Sequence, residues 1–468
     1  MKEKCQVFTP AQTVVELLNS VGYVSNLYGK KVMENACGDG NILSIIVKRY
    51  IEDSLNKGLN KVDIKLGLER DIHGAEIDKE HYKKCISNLN TITEGYEIRN
   101  VNWRIVNKDI LKEKIEPIFD FVIGNPPYIT YRDLNIKTRK YLKSNYDSCI
   151  YGKFDYCYAF IELSIKSLNN NGKLGYLIPS SIFKNVFAQK LRDSILPFTT
   201  EIIDYTTKKI FKKVTVSSAI LICEKSNIQN SIQYYDVVSD KKIEISKEKL
   251  IGKWIFSNWN TKNTDKERFG DYFTAAISVA TLKNDVFVLK KYSSDEQFII
   301  VERGKIEKSI VREGVSPKSL KYNKNELIIF PYKYEEDKLI RYSKEKFEET
   351  FAEATKYLNT YLDKLNKRDS DKSVQWFEYG RTQALAHLNQ DKLLVSTILT
   401  AEVKVYELSK YTIPYSGIYI VSKGRLPLSK AKEILESEEF YQYAQNVGIN
   451  ANGSSKRITA TDINNFEF

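Results

Sequence analysis

The tetrapeptide Asn125-Pro126-Pro127-Tyr128 is the segment of this sequence best suited to chemistry. Proline fixes φ and has no N–H, so two in succession make a rigid corner. The asparagine amide oxygen and a neighbouring main-chain carbonyl can then accept both N–H groups of one planar amino nitrogen, such as N6 of adenine. Two such acceptors favour a tetrahedral nitrogen and free its lone pair without a basic side chain. Tyr128 is placed to stack on a base that has left its duplex, although a proline-rich turn beside a core tyrosine is the alternative.

A second candidate is the glycine-rich turn Glu34-Asn35-Ala36-Cys37-Gly38-Asp39-Gly40. Its two glycines let the main chain approach a ligand closely, and the helix N-terminus that follows supplies free N–H donors. Glycines in a turn are by themselves a weak indication. Acidic residues follow at the next strand ends, where ribose hydroxyls are commonly held. Glu76 is the first of them, with Asp78 as its rival, and Asp109 could accept from an adenine amino group.

Alternating strands and helices must position these residues. Apolar patterning predicts strands near 31–35, before 74–78, ending near 107–109, and at 119–124, 175–178, 202–203 and 219–223, with helices at 41–50 and 155–168. Such alternation predicts an α/β fold, a doubly wound and mostly parallel sheet, over residues 1–235. Residues 236–468 show mixed signals and are expected to form a separate α+β domain. Ligands of doubly wound sheets bind at the carboxyl ends of the strands, so the candidate residues are expected at one edge.

Composition excludes several other classes of protein. Six cysteines contain no CxxC pair and there are only three histidines, which argues against a zinc site, a disulfide framework and a histidine-centred site. No apolar signal region or membrane-length apolar run is present, so we expect a reduced cytosolic protein without a metal or a membrane. The net charge of +12 suits a polyanionic partner, or equally an ordinary solvated basic surface.

In order and content these segments resemble the DNA adenine-N6 methyltransferases of restriction–modification systems. They follow the gamma arrangement, in which cofactor motifs come first and target recognition last. The tetrapeptide matches the catalytic motif of that family without departure, and Phe8-Thr9-Pro10 is similar to its N-terminal cofactor-contacting motif. Asn35 departs from the proline that is usual in the glycine-rich motif, which could soften the turn.

The resemblance implies a seven-stranded sheet with one antiparallel strand and S-adenosylmethionine as the cofactor. It implies these cofactor-binding residues: Phe8, Thr9, Pro10, Glu34, Ala36, Gly38, Gly40, Glu76, Ile77, Asp109, Ile110, Asn125 and Phe160. It implies these catalytic residues: Asn125, Pro126, Pro127, Tyr128 and Phe211, with Tyr128 and Phe211 holding the flipped adenine between them.

Double-stranded DNA is the partner implied, and two regions hold candidate contacts. Shortly after the tetrapeptide come Arg132, Lys137, Arg139 and Lys140, which could hold phosphates or equally form a solvated loop. The second half, as a target recognition domain, offers Tyr332, Arg381, Gln383, Lys456 and Arg457. Because no endonuclease-sized region precedes Phe8, we expect a monomeric orphan methylase or one with a separate cognate restriction endonuclease, rather than a fused enzyme.

Three hypotheses follow. The leading one is a site-specific DNA adenine-N6 methyltransferase that flips its target base. The second is an RNA adenine-N6 or protein glutamine methyltransferase, because these share the tetrapeptide; the Phe8-Thr9-Pro10 segment and the large C-terminal region argue against the protein version. The third is a non-catalytic DNA-binding specificity module, against which the intact catalytic and cofactor positions speak.

Overall fold

A computed structural model describes residues 9–205, 217–226, 229–256, 266–336, 338–451 and 455–468. The chain divides into two compact units, Met1–Ser257 and Asn258–Phe468. Two of the predicted site residues, Phe8 and Phe211, lie outside the described residues. Among the helices that are described, none combines the length and the apolar character needed to cross a bilayer.

The first unit alternates helices and strands along most of its length. Its helices are α1 Ala11–Ser20, α2 Asn41–Asn56, α3 Lys61–Asp71, α4 Lys79–Gly95, α5 Ile136–Asn145, α6 Cys157–Ser167 and α7 Gln189–Ile195. Its strands are β1 Val32–Glu34, β2 Ile72–Ala75, β3 Arg104–Val106, β4 Phe119–Gly124, β5 Leu168–Pro179, β6 Thr199–Asp204, β7 Ser218–Glu224, β8 Ser231–Asp236 and β9 Lys241–Ser246. The seven strands expected from the sequence are therefore present as β1 to β7.

These strands form one nine-stranded sheet in the order β3-β2-β1-β4-β5-β7-β6-β8-β9. Neighbouring strands from β3 to β5 are parallel, whereas β7 runs antiparallel to both β5 and β6. The predicted doubly wound sheet with one antiparallel strand is thus confirmed, and it is extended by β8 and β9.

Burial on both faces explains the continuous apolar composition of the central strands. Val122 and Ile123 are neighbours on β4, yet they belong to two different apolar cores. The core that contains Ile123 is completed by α1 to α4, and the core that contains Val122 by α5 to α7. Helices therefore cover both faces and leave the carboxyl ends of the parallel strands at one edge.

The division between the units falls at 257/258, whereas the sequence suggested 235/236. The difference arises because β8 pairs with β6 in parallel and β9 pairs with β8. Both strands continue the sheet of the first unit, and a boundary at 235/236 would cut through β8.

The second unit is a mixed α+β structure, as expected. Its helices are α8 Phe269–Tyr272, α9 Asn284–Phe287, α10 Pro317–Lys321, α11 Lys344–Thr350, α12 Ala352–Asn359, α13 Leu362–Asn366, α14 Leu428–Leu435, α15 Glu438–Val447 and α16 Ala460–Asn464. Its strands are β10 Phe273–Ile277, β11 Val288–Leu289, β12 Ser293–Ser294, β13 Phe298–Val301, β14 Gly304–Glu307, β15 Val311–Val315, β16 Leu327–Ile329, β17 Tyr332–Glu335, β18 Lys338–Arg341, β19 Lys392–Val395, β20 Ile398–Leu399, β21 Val405–Leu408, β22 Ile413–Pro414, β23 Ile418–Ser422, β24 Ile449–Asn450 and β25 Lys456–Arg457. The strands form small sheets of two to four members.

Candidate active site

The amide of Asn125 lies directly after the carboxyl end of β4 and is held in one orientation. Its Nδ2 donates a hydrogen bond to Thr9 Oγ1 at 3.1 Å. Its Oδ1 is buried and has no hydrogen-bond partner among the described residues. A buried acceptor left without a donor costs about 1–3 kcal/mol. The site is therefore arranged for an N–H group that arrives with a ligand.

Tyr128 is fixed at the far end of its ring. Its hydroxyl donates to the main-chain carbonyl of Leu177, on β5, at 2.9 Å. Burial raises the pKa of Tyr128 well above its ordinary value, so the phenol stays protonated and keeps this bond. The ring packs against both cores of the unit while remaining half-exposed. It is consequently a rigid, partly open surface beside Asn125.

The glycine-rich turn adopts a conformation that requires its glycines. Gly38 and Gly40 have φ of 53° and 82°, in the left-handed region. A Cβ at Gly40 would also lie 2.7 Å from Cys85 Sγ, on α4. The Gly38 N–H donates to Glu76 Oε2 at 2.9 Å, which joins the turn to the end of β2.

The structure distinguishes Glu76 from its rival Asp78. Asp78 accepts hydrogen bonds from the N–H groups of Glu80 and His81 at 2.9 and 3.1 Å, and so it caps α4. The two oxygens of Glu76 accept one main-chain N–H each, from Gly38 and Asp78. Since a carboxylate oxygen has two acceptor sites, Glu76 keeps capacity for ribose hydroxyls.

The residues predicted to bind the adenine of the cofactor are suited to contact with a flat, largely apolar ring. Ile77 is 48% exposed although it is large and apolar, and it stands between two acids at the strand edge. Ile110 is buried, and the buried Phe160 ring meets Tyr156 edge-on at 5.3 Å. The Asp109 carboxylate contacts Lys112 Nζ at 2.9 Å and retains acceptor capacity. Among the other predicted residues, Pro10 is exposed, Ala36 and Pro127 are half-buried, and Pro126 is buried.

Glu34 is a buried carboxyl at the end of β1. Its Oε2 accepts from the Leu43 N–H in the first turn of α2 at 3.1 Å. Burial raises the pKa of Glu34 well above its ordinary value. A charge placed by a ligand in this turn would therefore act on the protonation of Glu34.

Asn35 anchors the turn through side chains that sequence reasoning missed. Its Nδ2 donates to Ser164 Oγ at 2.9 Å, and its Oδ1 accepts from the Tyr176 hydroxyl. Ser164 in turn donates to the carbonyl of Phe160 at 2.6 Å. The residue that replaces the usual proline thus ties the turn to α6 and β5, and does not loosen it. Nothing in the sequence marks Ser164 or Tyr176 as its partners.

The basic residues that follow the tetrapeptide divide into two kinds. Arg132, Lys137 and Lys140 are exposed, and no ion pair of theirs is found in the described part of the chain. Arg139 is half-buried; its guanidinium lies 4.5 Å above the Tyr131 ring, and its Nη2 donates to the carbonyl of Arg132. Arg139 braces this segment, whereas the three exposed cations are free to meet a polyanion.

In the second unit, burial sets Tyr332 apart from the other candidates. It is 4% exposed, and its hydroxyl accepts from the Tyr379 N–H at 2.8 Å. A DNA contact by Tyr332 is incompatible with this core position, so that prediction is dropped. Arg381 pairs with Asp371 and Asp369 at 2.9 and 3.3 Å.

The remaining candidates of the second unit are more accessible. Gln383 and Arg457 are exposed, whereas Lys456 is half-buried and donates to Asn450 Oδ1. These three residues remain predictions.

In sequence, this chain resembles known proteins over part of its length. Residues 25–211 match the family model "Eco57I restriction-modification methylase". The type II restriction enzyme and methyltransferase RM.Eco57I of Escherichia coli is 25% identical over 386 residues, which are 70% of this chain and 38% of that protein. The type II methyltransferase M.BstVI of Geobacillus stearothermophilus is 28% identical over 283 residues, 54% of this chain and 50% of that protein.

The chain therefore spans half or less of the length of these two relatives. One of them, RM.Eco57I, combines restriction and methylation in one protein, whereas the sequence led us to expect a methylase without a fused nuclease. Together with the strand-end residues described above, the family match identifies S-adenosylmethionine as the cofactor of the first unit.

Solved structures share the fold over most of the chain. The type IIL restriction-modification enzyme MmeI, solved in complex with DNA, has a TM-score of 0.66 at 13% identity, covering 98% of this chain and 67% of that one. The type ISP enzyme LlaGI, solved with a DNA substrate mimic, has a TM-score of 0.58 at 13% identity, covering 94% of this chain and 43% of that one. At this identity the likeness concerns the fold alone.

Proposed function

We propose that this chain is a site-specific DNA adenine-N6 methyltransferase, since residues 25–211 match the family model "Eco57I restriction-modification methylase". It extrudes an adenine from double-stranded DNA, holds it at the tetrapeptide, and reads the surrounding sequence with its second unit, a target recognition domain. We propose that it acts as a monomer, either beside a separate cognate endonuclease for the same site or as an orphan methylase.

The observation that carries this proposal is the unpartnered Oδ1 of Asn125. The amino group of adenine is planar and a weak nucleophile. An amide oxygen already oriented by Thr9, together with a main-chain carbonyl of the rigid corner, accepts its two N–H groups. The amide oxygen is oriented before the base arrives, so this acceptor needs no reorganisation at the moment of reaction.

The cofactor supplies the electrophilic methyl group when it is bound. The residues of this chain hold it at the strand ends: Gly38 and Gly40 offer close main-chain approach, Glu76 offers ribose acceptors, and Ile77 offers an apolar face. Asn125 then presents the receiving nitrogen at the neighbouring strand end.

Base extrusion is part of this proposal, because an enzyme cannot reach its target atom in a base that stays stacked inside a duplex. Extrusion costs a few kcal/mol of unstacking, and stacking on an aromatic ring offsets about 1–3 kcal/mol. Tyr128, anchored to Leu177, offers such a ring. Phe211, which lies outside the described residues, is proposed as the second ring of the pair.

The exposed cations beside the tetrapeptide support a duplex partner. Lys137 and Lys140 are three positions apart on α5, hence on one face of the helix, and Arg132 precedes it by a few residues. Phosphate contacts by these side chains would fix the register of the DNA next to the flipped base.

The decisive experiment offers the purified chain labelled S-adenosylmethionine with DNA, RNA or a protein lysate. We expect label in DNA alone, recovered as N6-methyladenine after digestion to nucleosides. Asn125→Ala should lower kcat by about 10²–10³-fold while calorimetry still detects cofactor binding. The matched control Asn170→Ala removes an exposed asparagine near the start of β5, away from the carboxyl edge, and should act as wild type.

Three results would overturn the proposal. Label in RNA or in a glutamine side chain would transfer the assignment to that substrate. Undiminished transfer by Asn125→Ala would remove the tetrapeptide from the mechanism, and cofactor binding without any transfer would leave a non-catalytic module.

A further inference from the structure

Arg312, on β15 in the second unit, is a half-buried arginine without a counter-ion. No hydrogen bond or ion pair of its side chain occurs in the described part of the chain, and its Nη1 is fully buried without a partner. Its guanidinium carbon lies 4.5 Å from the Phe330 ring centre and 6.0 Å from that of Tyr334. The cation is thus held against aromatic faces while its donors remain unused.

Other arginines of this unit show that such a state is not the rule. Arg341 forms a bidentate pair with the buried carboxylate of Glu378. Arg368 donates to four main-chain carbonyls, and Arg381 pairs with two aspartates. Each of these three arginines has carboxylate or carbonyl oxygens that accept its hydrogen bonds. Arg312 has none.

The surroundings of Arg312 are rich in tyrosines and include a second cation. Burial lowers the pKa of Arg312, and the groups that act on its charge are tyrosines rather than carboxylates. Burial lowers the pKa of Lys392, the carboxylate of Asp391 raises it, and the charge of Arg312 lowers it again, so this second cation is within electrostatic reach of Arg312. Lys392 is itself bonded to the carbonyls of Ser409 and Thr412. Glu313, the next residue, points to the other face of its strand and accepts from Thr412 Oγ1.

We propose that Arg312 is a phosphate-binding residue of the second unit, whose missing acceptors are supplied by the DNA backbone. This inference rests on the proposed function, which provides the duplex. A buried charged donor without an acceptor destabilises the free protein, and such a conflict persists at sites that serve function. A small rotation of the guanidinium toward a phosphate would satisfy it.

A phosphate fits this position better than a base edge. The charge of Arg312 also acts on Lys392, and no carboxylate is among the groups that act most on Arg312, so a full negative charge compensates its potential, which a neutral base edge does not. The planar fork of arginine matches two phosphate oxygens, and the aromatic ring below it holds the fork in plane.

The test measures binding of a fluorescently labelled duplex of mixed sequence by the full chain over a range of salt concentrations. Each phosphate contact contributes about −0.9 to the slope of log K against log salt. Arg312→Met should therefore reduce the magnitude of the slope by about 1 and raise Kd several-fold. Because it replaces an unsatisfied buried charge by an apolar chain, it should also raise Tm by about 2–4 °C.

The matched control is Arg303→Met, which removes the same charge from an exposed guanidinium 5.1 Å above the Tyr361 ring. Its slope and Tm should equal those of wild type. Arg312→Gln repeats the measurement should the methionine variant not fold.

The outcomes separate cleanly. A duplex bound by wild type with an unchanged slope in the Arg312 variant overturns the inference, and so does an equal fall of the slope in Arg303→Met. An unchanged slope with discrimination between sequences lost would assign Arg312 to a base instead. If the wild-type chain binds no duplex at all, the proposed function fails before this inference is reached.

Discussion

Thr9 is the residue that decides which way the Asn125 amide points. Its hydroxyl accepts the only hydrogen bond that the Asn125 side chain makes among the described residues, Nδ2 to Oγ1 at 3.1 Å. Thr9→Val preserves the shape of the buried side chain but removes that acceptor. The amide is then free to turn over, which would present Nδ2 instead of Oδ1 to the incoming amino group.

The size of the effect follows from one neutral hydrogen bond. Such a bond contributes about 0.5–1.5 kcal/mol net, which corresponds to about a 2- to 13-fold change in rate. We therefore expect Thr9→Val to lower kcat by this factor, while KM for DNA stays near its wild-type value because Thr9 reaches the base only through Asn125. The loss should be far smaller than that of Asn125→Ala.

The assay is single-turnover methylation of genomic DNA with labelled S-adenosylmethionine, run as a double-mutant cycle. Wild type, Thr9→Val, Asn125→Ala and the double variant are compared at saturating cofactor. If Thr9 acts through the amide, Thr9→Val has no further effect once Asn125 is alanine, and the coupling energy equals its single effect.

Two results would refute this reasoning. A kcat within the error of wild type would mean that the amide is oriented by something other than Thr9. A full Thr9→Val effect in the Asn125→Ala background would mean that Thr9 acts on the cofactor or the fold rather than on the amide. Circular dichroism and cofactor calorimetry on both single variants distinguish those two routes.

Two further predictions concern stability. Asp155 accepts a hydrogen bond from the Cys157 N–H at 3.1 Å, and burial raises the pKa of Asp155 from 3.8 to about 6. The folded state therefore binds this proton more tightly than the unfolded state, and stability falls as the pH rises between these two pKa values. Asp155→Asn keeps the acceptor for the Cys157 N–H without the charge, so urea unfolding at pH about 7.5 should show a gain of about 2–3 kcal/mol that vanishes at pH about 4. Tyr176→Phe leaves Asn35 Oδ1 without a donor, so it should lower the free energy of unfolding by about 1–3 kcal/mol and weaken cofactor binding measured by calorimetry. The control Tyr96→Phe, which removes a hydroxyl that bonds to an exposed glutamate, should change neither quantity. Equal losses in the two variants would contradict this account.

Much of the first unit was accessible from its sequence because the determining signals are local. Strand β4 was predicted at 119–124 and has those bounds, since an apolar run between turn residues indicates a strand buried on both faces. The alternation of strands and helices predicted the sheet, and the chemistry that we propose for the tetrapeptide was inferred from its residue types. The rule that ligands bind at the carboxyl strand ends placed Asn125, Glu76 and Asp109 at one edge.

The tertiary structure decided what depends on partners that are remote along the chain. Asn35 meets Ser164 and Tyr176 at separations of 129 and 141 residues, and no local pattern encodes that contact. Tyr332 was predicted from the sequence to contact DNA, yet the packing of its unit buries it. Whether a polar group finds a partner is settled only when distant segments pack together. The free acceptor of Asn125 and the unused donors of Arg312 are therefore properties of the folded chain.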